Sequence, residues 1–407
     1  MHKTMWSCLW LWLSICPGGA QSPPASSRAE EIEAARREKS RQVRPDVPPT
    51  AERVLNTIKE KRIVERITGG TAGVRLRLGG LATNQGFAVG PEYLRRDLAN
   101  EQVAFRASAI GSIKKAYLLD TELDMPRLAA EKVFVNLYAA HRNFPQMQYY
   151  GPGPDSRITG RTDYRLENIS FEARAGVRPV RFLWMGAIGS YVLMNIGPGT
   201  NARFADTDQT FNELQAPGIR QQSDFLRGGA FVQFDYRDNP GGPRKGGNYL
   251  IQYSTYSDRT LHRFNFSRVE AEAQQYISFL NERRVIALRG RADITEPHAG
   301  NLVPFYLQPT LGGANDLRGF RQWRFHDNNS LIFNAEYRWE VFSGMDMAIF
   351  GDAGKVTPRW QLLNLEDLEA SYGVGLRFNV RNNVFMRIDT GFSHEGFQIW
   401  FKFNNVF

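Results

Sequence analysis

The sequence predicts an all-β fold, a transmembrane antiparallel β-barrel of about sixteen strands. Three observations carry this. Apolar and polar residues alternate over one segment after another, and the polar positions hold full charges of both signs. Beyond residue 20 there is no run of about eighteen apolar residues, so any crossing of a membrane is made by strands.

The N-terminus reads as an export signal. His2 and Lys3 are followed by an apolar stretch from Trp6 to Ile15 and by the small residues Gly18, Gly19 and Ala20, the pattern of a signal peptide over 1–20. That stretch is too short to span a bilayer. Ile15 is too large for the position before a lipid-modified cysteine at Cys16. Both cysteines, Cys8 and Cys16, fall in this segment, so 21–407 has no disulfide and no cysteine-based metal site.

Residues 21–66 differ from the remainder of the chain. They open rich in Ser and Pro, pass through charges from Arg28 to Arg44, and cross Pro45, Pro48 and Pro49, the composition of a periplasmic linker. From Thr50, a possible N-cap, Val54, Leu55, Ile58, Ile63 and Ile67 form a partial apolar stripe. It predicts a short amphipathic helix, either docked at the barrel mouth or offered to a partner.

The barrel is expected over 67–407, and from Gly69 onward the period becomes two. Tyr372, Val374, Leu376 and Phe378 alternate with Gly373, Gly375, Arg377 and Asn379; Phe333, Ala335, Tyr337 and Trp339 alternate with Asn334, Glu336, Arg338 and Glu340. Charge on every polar face suits a wet lumen inside a lipid-facing wall better than a sandwich. Such segments are legible at 72–80, 85–94, 101–111, 114–123, 131–141, 161–175, 181–194, 223–237, 247–257, 262–277, 283–294, 330–342, 345–355, 370–380, 383–393 and 396–407. An even number places both ends on one side. Connections at 381–383 and 343–344 are tight, whereas 142–160, 195–222 and 295–329 are long, the asymmetry of periplasmic turns and outer loops. The aromatic last strand, with Phe401, Phe403 and the terminal Phe407, suits an interfacial girdle and resembles the C-terminal insertion signal of outer-membrane barrels.

Four places go further. Asp235, Tyr236, Arg237, Asp238, Asn239 and Pro240 join two strands, followed by Pro243 and Gly246. Tyr150, Gly151, Pro152 and Gly153 precede Asp155 and Ser156 in the third outer loop. Arg318, Gly319 and Phe320 follow Gly312 and Gly313 inside the longest loop, and Phe350, Asp352 and Gly354 lie on the thirteenth strand. In order and placement these resemble the outer-membrane assembly-factor superfamily, which holds the BamA-type and TamA-type insertases, the two-partner secretion transporters and the bacterial surface antigens. The resemblance covers 69–407. It implies that loop 295–329 folds into the lumen and that Arg318 is received by Asp352 and by Glu336 on the twelfth strand. Such a bidentate pair is chemically sound, and Gly319 permits a sharp turn. The chain departs from the family in one respect: 21–66 is too short and too polar for a periplasmic POTRA module, which makes this a barrel-only member.

No catalytic constellation is legible: there is no Gly-x-Ser-x-Gly, phosphate loop or His-Glu-x-x-His, and the histidines are scattered, so neither an enzyme, a cofactor nor a metal is expected. The net charge of +9 is spread along the chain, which excludes a nucleic-acid footprint. The expected setting is the outer membrane, with lipid and either client barrels or a periplasmic protein as partners. The resemblance favours insertion or translocation of proteins through a weak seam between the first and last strands. A gated transport pore and a structural surface-antigen barrel are the alternatives.

Overall fold

Residues 32–38, 73–79, 81, 82, 85–380 and 382–403 are described in the computed structural model. The expected signal peptide, the amphipathic helix from Thr50 and Phe407 lie outside the described residues. Residues 32–38 are helical, with Arg37 3.6 Å from Glu33 one turn earlier. They belong to a unit that ends at Val54, and the barrel belongs to a second unit.

Sixteen strands form one antiparallel sheet in which each pairs with its neighbours along the chain. The first eight are β1 (Val74–Leu78), β2 (Ala88–Leu98), β3 (Val103–Ser112), β4 (Tyr117–Arg127), β5 (Val133–Tyr149), β6 (Thr162–Val180), β7 (Leu183–Pro198) and β8 (Phe225–Asp235). β9 (Gly246–Asp258), β10 (Phe266–Phe279) and β11 (Arg284–Pro297) lead to the long loop, which carries two-residue strands β12 (Thr310–Leu311) and β13 (Phe325–His326). The sheet resumes with β14 (Asn329–Phe342), β15 (Met345–Thr357), β16 (Glu369–Val380), β17 (Asn383–Ser393) and β18 (Gly396–Phe403).

Alternation settles the two faces. On β15, Asp346, Ala348, Phe350 and Asp352 are buried towards the lumen while Ile349 is exposed on the outside. The outward side chains of neighbouring strands, among them Phe333, Val374 and Ile399, make the lipid-facing wall.

Three features depart from the sequence reading. β5, β6 and β7 reach 17, 19 and 16 residues, so parts of the expected loops 142–160 and 195–222 are strand. Above the bilayer loops cover both faces, so the alternation fades while the ladder continues; Tyr149 and Tyr164 are buried there against Phe305 at 5.0 and 4.9 Å between ring centroids. The connection 236–245 is long although it lies on the periplasmic side, and the outer turn at 394–395 is short.

The sheet comes full circle without a closing ladder among the described residues: β1 and β18 are its two ends. Those ends meet. The Phe403 ring lies 6.1 Å from that of Phe87, and a Cβ placed on Gly79 would stand 3.7 Å from that of Phe403.

In a barrel held by ladders between neighbours, detergent does not unfold the chain but heat does. Unheated protein in mild detergent is therefore expected to run faster on a gel than boiled protein and to give a β-rich circular dichroism spectrum. Equal mobility or a helical spectrum would contradict the fold.

Candidate functional site

The longest loop leaves β11 at the outer end and turns back into the barrel. Its tip, Arg318-Gly319-Phe320, is buried, with Phe320 packed beside Leu311, Leu317, Phe325, Ile332 and Val356. Burying a guanidinium demands several acceptors, and the lumen wall supplies them. Arg318 Nε and Nη2 donate to the two oxygens of Asp352 at 3.0 and 2.7 Å, and its backbone N–H adds a third bond to Asp352 at 3.1 Å. Nη1 donates to Glu336 at 2.7 Å. The guanidinium also lies 3.4 Å above the Phe350 ring, a cation–π contact worth on the order of 2 kcal/mol when water is excluded.

Register explains the convergence. Asn334, Asp352 and Ser371 stand opposite one another on β14, β15 and β16, and Glu336 stands opposite Phe350 one step down. Asn334 donates to Asp352 at 2.8 Å and Ser371 at 3.2 Å, so the carboxylate is oriented before the arginine arrives. Glu336 also receives Arg338 at 2.6 Å and Arg377 at 2.8 Å. Asp389 pairs in turn with Arg377 and Arg387. Four guanidinium groups therefore share three carboxylates in a buried network.

The backbone of the tip is pressed against β16 and β17. A Cβ on Gly319 would lie 2.5 Å from the Phe392 carbonyl oxygen, and one on Gly391 would lie 2.4 Å from that of Arg318. Both positions must be glycine for the loop to seat. Two further bonds reach the end of the sheet: Ser393 Oγ donates to the Gly319 carbonyl at 2.9 Å, and Trp400 Nε1 on β18 donates to the Arg318 carbonyl at 2.7 Å. Gly354 lies higher on β15, where a Cβ would meet the Leu331 carbonyl at 2.6 Å. It makes room for the neighbouring strand and does not touch Arg318.

The third outer loop touches the same long loop. Gly153 N–H donates to the His326 carbonyl at 2.8 Å, and Arg324 bonds Ser156 Oγ at 2.8 Å and Glu395 at 2.7 Å. His326 is buried against the Tyr149 ring, and burial pushes its imidazole down to about 3, so it stays neutral. Asp155 is exposed.

The turn motif lies on the opposite side of the membrane. Arg237 pairs with Asp235 at 2.7 Å, and Asp238 accepts the N–H groups of Arg244 and Lys245 at 3.1 and 3.3 Å. Asn239 donates to the Asn382 carbonyl at 2.7 Å, and the Gly241 carbonyl accepts Val384 N–H at 2.8 Å. Arg244 bonds Asp346 at 2.8 Å and the Glu282 carbonyl at 2.6 Å. This turn is thus tied to three others at the periplasmic rim, and Pro240 remains exposed. Phe401 faces outward, and Phe403 packs on Phe385 at 5.7 Å.

Sequence reasoning missed Asn334, Ser371, Arg377, Ser393, Trp400 and Arg244. All but Arg244 lie on strands, and the polar ones sit on lumen faces that alternation identifies. Nothing in the alternation says which of them meets the loop.

The Omp85 superfamily domain matches residues 128–392, well over half of the chain. The chain belongs to the Omp85 superfamily. Barrels of this superfamily are outer-membrane proteins. The Omp85 fold of this chain is similar to that of BamA from Haemophilus ducreyi lacking POTRA domains 1–3, with a TM-score of 0.59 at 13% identity over 91% of this chain and 80% of that one. CdiB from Acinetobacter baumannii aligns with a TM-score of 0.49 at 11% identity over 81% of this chain and 59% of that chain. No curated protein matches the sequence.

Removing one partner from a buried ion pair strands the other, at a cost of about 3 kcal/mol. Arg318→Ala and Asp352→Ala are each expected to loosen loop 298–328 and raise its protease sensitivity to a similar degree. The double variant should be no worse than the worse single variant. Strictly additive effects would show that the two residues do not act as a unit.

Proposed function

We propose that this Omp85 barrel resides in the outer membrane and assists the insertion of other barrel proteins, using the seam between β1 and β18. The observation that carries this reading is that no ladder closes that seam among the described residues. A strand edge with free N–H and C=O groups is a template for another strand. β18 offers eight residues, and its outward side chains Phe397, Ile399 and Phe401 are 60%, 51% and 63% exposed, ready to face lipid beside an incoming strand. β1 has only five residues, so few bonds would oppose its separation.

The Arg318 cluster is read as a lock that supports the C-terminal wall, and through Trp400 β18 itself, from within the lumen. A transport pore is the weaker reading, because passage would require that buried cluster to leave. Clients would be recognised as unpaired amphipathic strands whose apolar face meets lipid.

The seam can be locked chemically. The 3.7 Å separation of the Cβ positions at Gly79 and Phe403 is within reach of a disulfide, at the cost of some backbone strain at Gly79 (φ +72°), and the only native cysteines are Cys8 and Cys16. Proteoliposomes carrying the Gly79→Cys/Phe403→Cys variant are mixed with an unfolded eight-stranded client barrel. The oxidised variant is expected to lose acceleration of client folding, and reduction to restore it. Equal acceleration by both forms would overturn the lateral seam.

A further inference from the structure

Lys355 occupies an outward position on β15, in phase with Gly351 and Ala353 and out of phase with the lumen residues Phe350 and Asp352. An ammonium group on that face would have to reach water or headgroups. Instead Lys355 is buried, and its Nζ donates to Asn364 Oδ1 at 2.7 Å and to the Glu366 carbonyl at 2.8 Å. The connection 358–368 between β15 and β16 therefore folds down over the outside of the barrel wall.

That connection is ordered by its own bonds. Leu362 N–H and Leu363 N–H donate to the Arg359 and Trp360 carbonyls at 3.1 and 3.0 Å, closing a single tight helical turn. Thr357 Oγ1 donates to the Arg359 carbonyl at 3.0 Å, and Glu366 N–H to Asn364 Oδ1 at 3.3 Å. With its polar groups engaged in this way, the segment still leaves Trp360, Leu362 and Leu365 50%, 49% and 70% exposed. Apolar side chains grouped in this way on a surface mark a contact with protein or membrane.

The outside of the wall near this segment is aromatic. Tyr372, Phe392 and Phe397 stand side by side on the outside of β16, β17 and β18, with ring centroids 5.9 and 6.4 Å apart, in register with Gly351. These rings form an aromatic belt. Lys355 lies four residues further up β15, about 10 Å higher for a strand tilted by roughly 40°. The belt marks the boundary between acyl chains and headgroups, so Lys355 stands near the outer edge of the headgroup layer, where charged neighbours such as Arg359, Glu366 and Asp367 remain hydrated and a segment folding back towards the belt meets lipid.

We propose that segment 358–368 is a membrane-interface anchor that inserts Trp360, Leu362 and Leu365 into lipid of the outer leaflet, with Lys355 holding it against the wall. This surface is separate from the seam and does not depend on insertase activity.

The test uses tryptophan fluorescence of the full barrel in vesicles of phosphatidylcholine brominated high on the acyl chain. Subtracting the emission of Trp360→Phe from that of the native protein isolates Trp360. That emission is expected to fall at least two-fold in brominated vesicles and to be insensitive to aqueous iodide. Lys355→Met, which keeps an outward apolar stem but loses both bonds, should recover at least half of it, while faster migration of unheated protein confirms that the barrel is folded. Emission quenched by iodide but not by bromine, or unchanged by either, would overturn the proposal.

Discussion

A guanidinium withdrawn from water into a barrel lumen is tolerable only where carboxylates await it in fixed positions. Arg318 makes four such bonds, and the rest of the C-terminal half is arranged around them. Asn334 and Ser371 orient Asp352, while Arg338 and Arg377 share Glu336. Gly319 and Gly391 let the backbones of loop and wall approach within contact distance.

On either side of the seam the lumen is braced by its own set of ion pairs. At the N-terminal end Arg77 and Arg106 pair with Asp120 at 3.0 and 2.8 Å, Arg106 also meets Glu122 at 2.9 Å, and Arg75 pairs with Glu92. This network binds β1 to β2, β3 and β4. At the other end the loop tip joins β14 through β18, finishing at Trp400. The seam falls between the two sets, so each side of it is supported from the lumen and by its own neighbours.

Much of this was legible because strands write a two-residue period. The number of strands, their order and the inward placement of Glu336 and Asp352 follow from alternation alone. The contact of Arg318 with those residues was not readable from the period; it was implied by the order of motifs in a loop and the strands after it. What escaped had physical reasons. The outer parts of β5, β6 and β7 lose alternation because loops cover both faces. The ties of turn 236–245 depend on partners such as Asn382 and Asp346, far away in sequence. Lys355 sits in an apolar phase and reads as an exception until the segment that covers it is seen.

If Arg318 is what seats the loop, a residue with the same charge but without the forked donor should fail to replace it. Hydrogen exchange of Arg318→Lys and native protein in lipid nanodiscs addresses this directly. Amides at 310–326 are predicted to exchange at least tenfold faster in the variant, those at 396–403 to follow through the lost support of Trp400, and those of β9 and β10 to stay unchanged. Identical protection of 310–326 in both proteins would contradict the account.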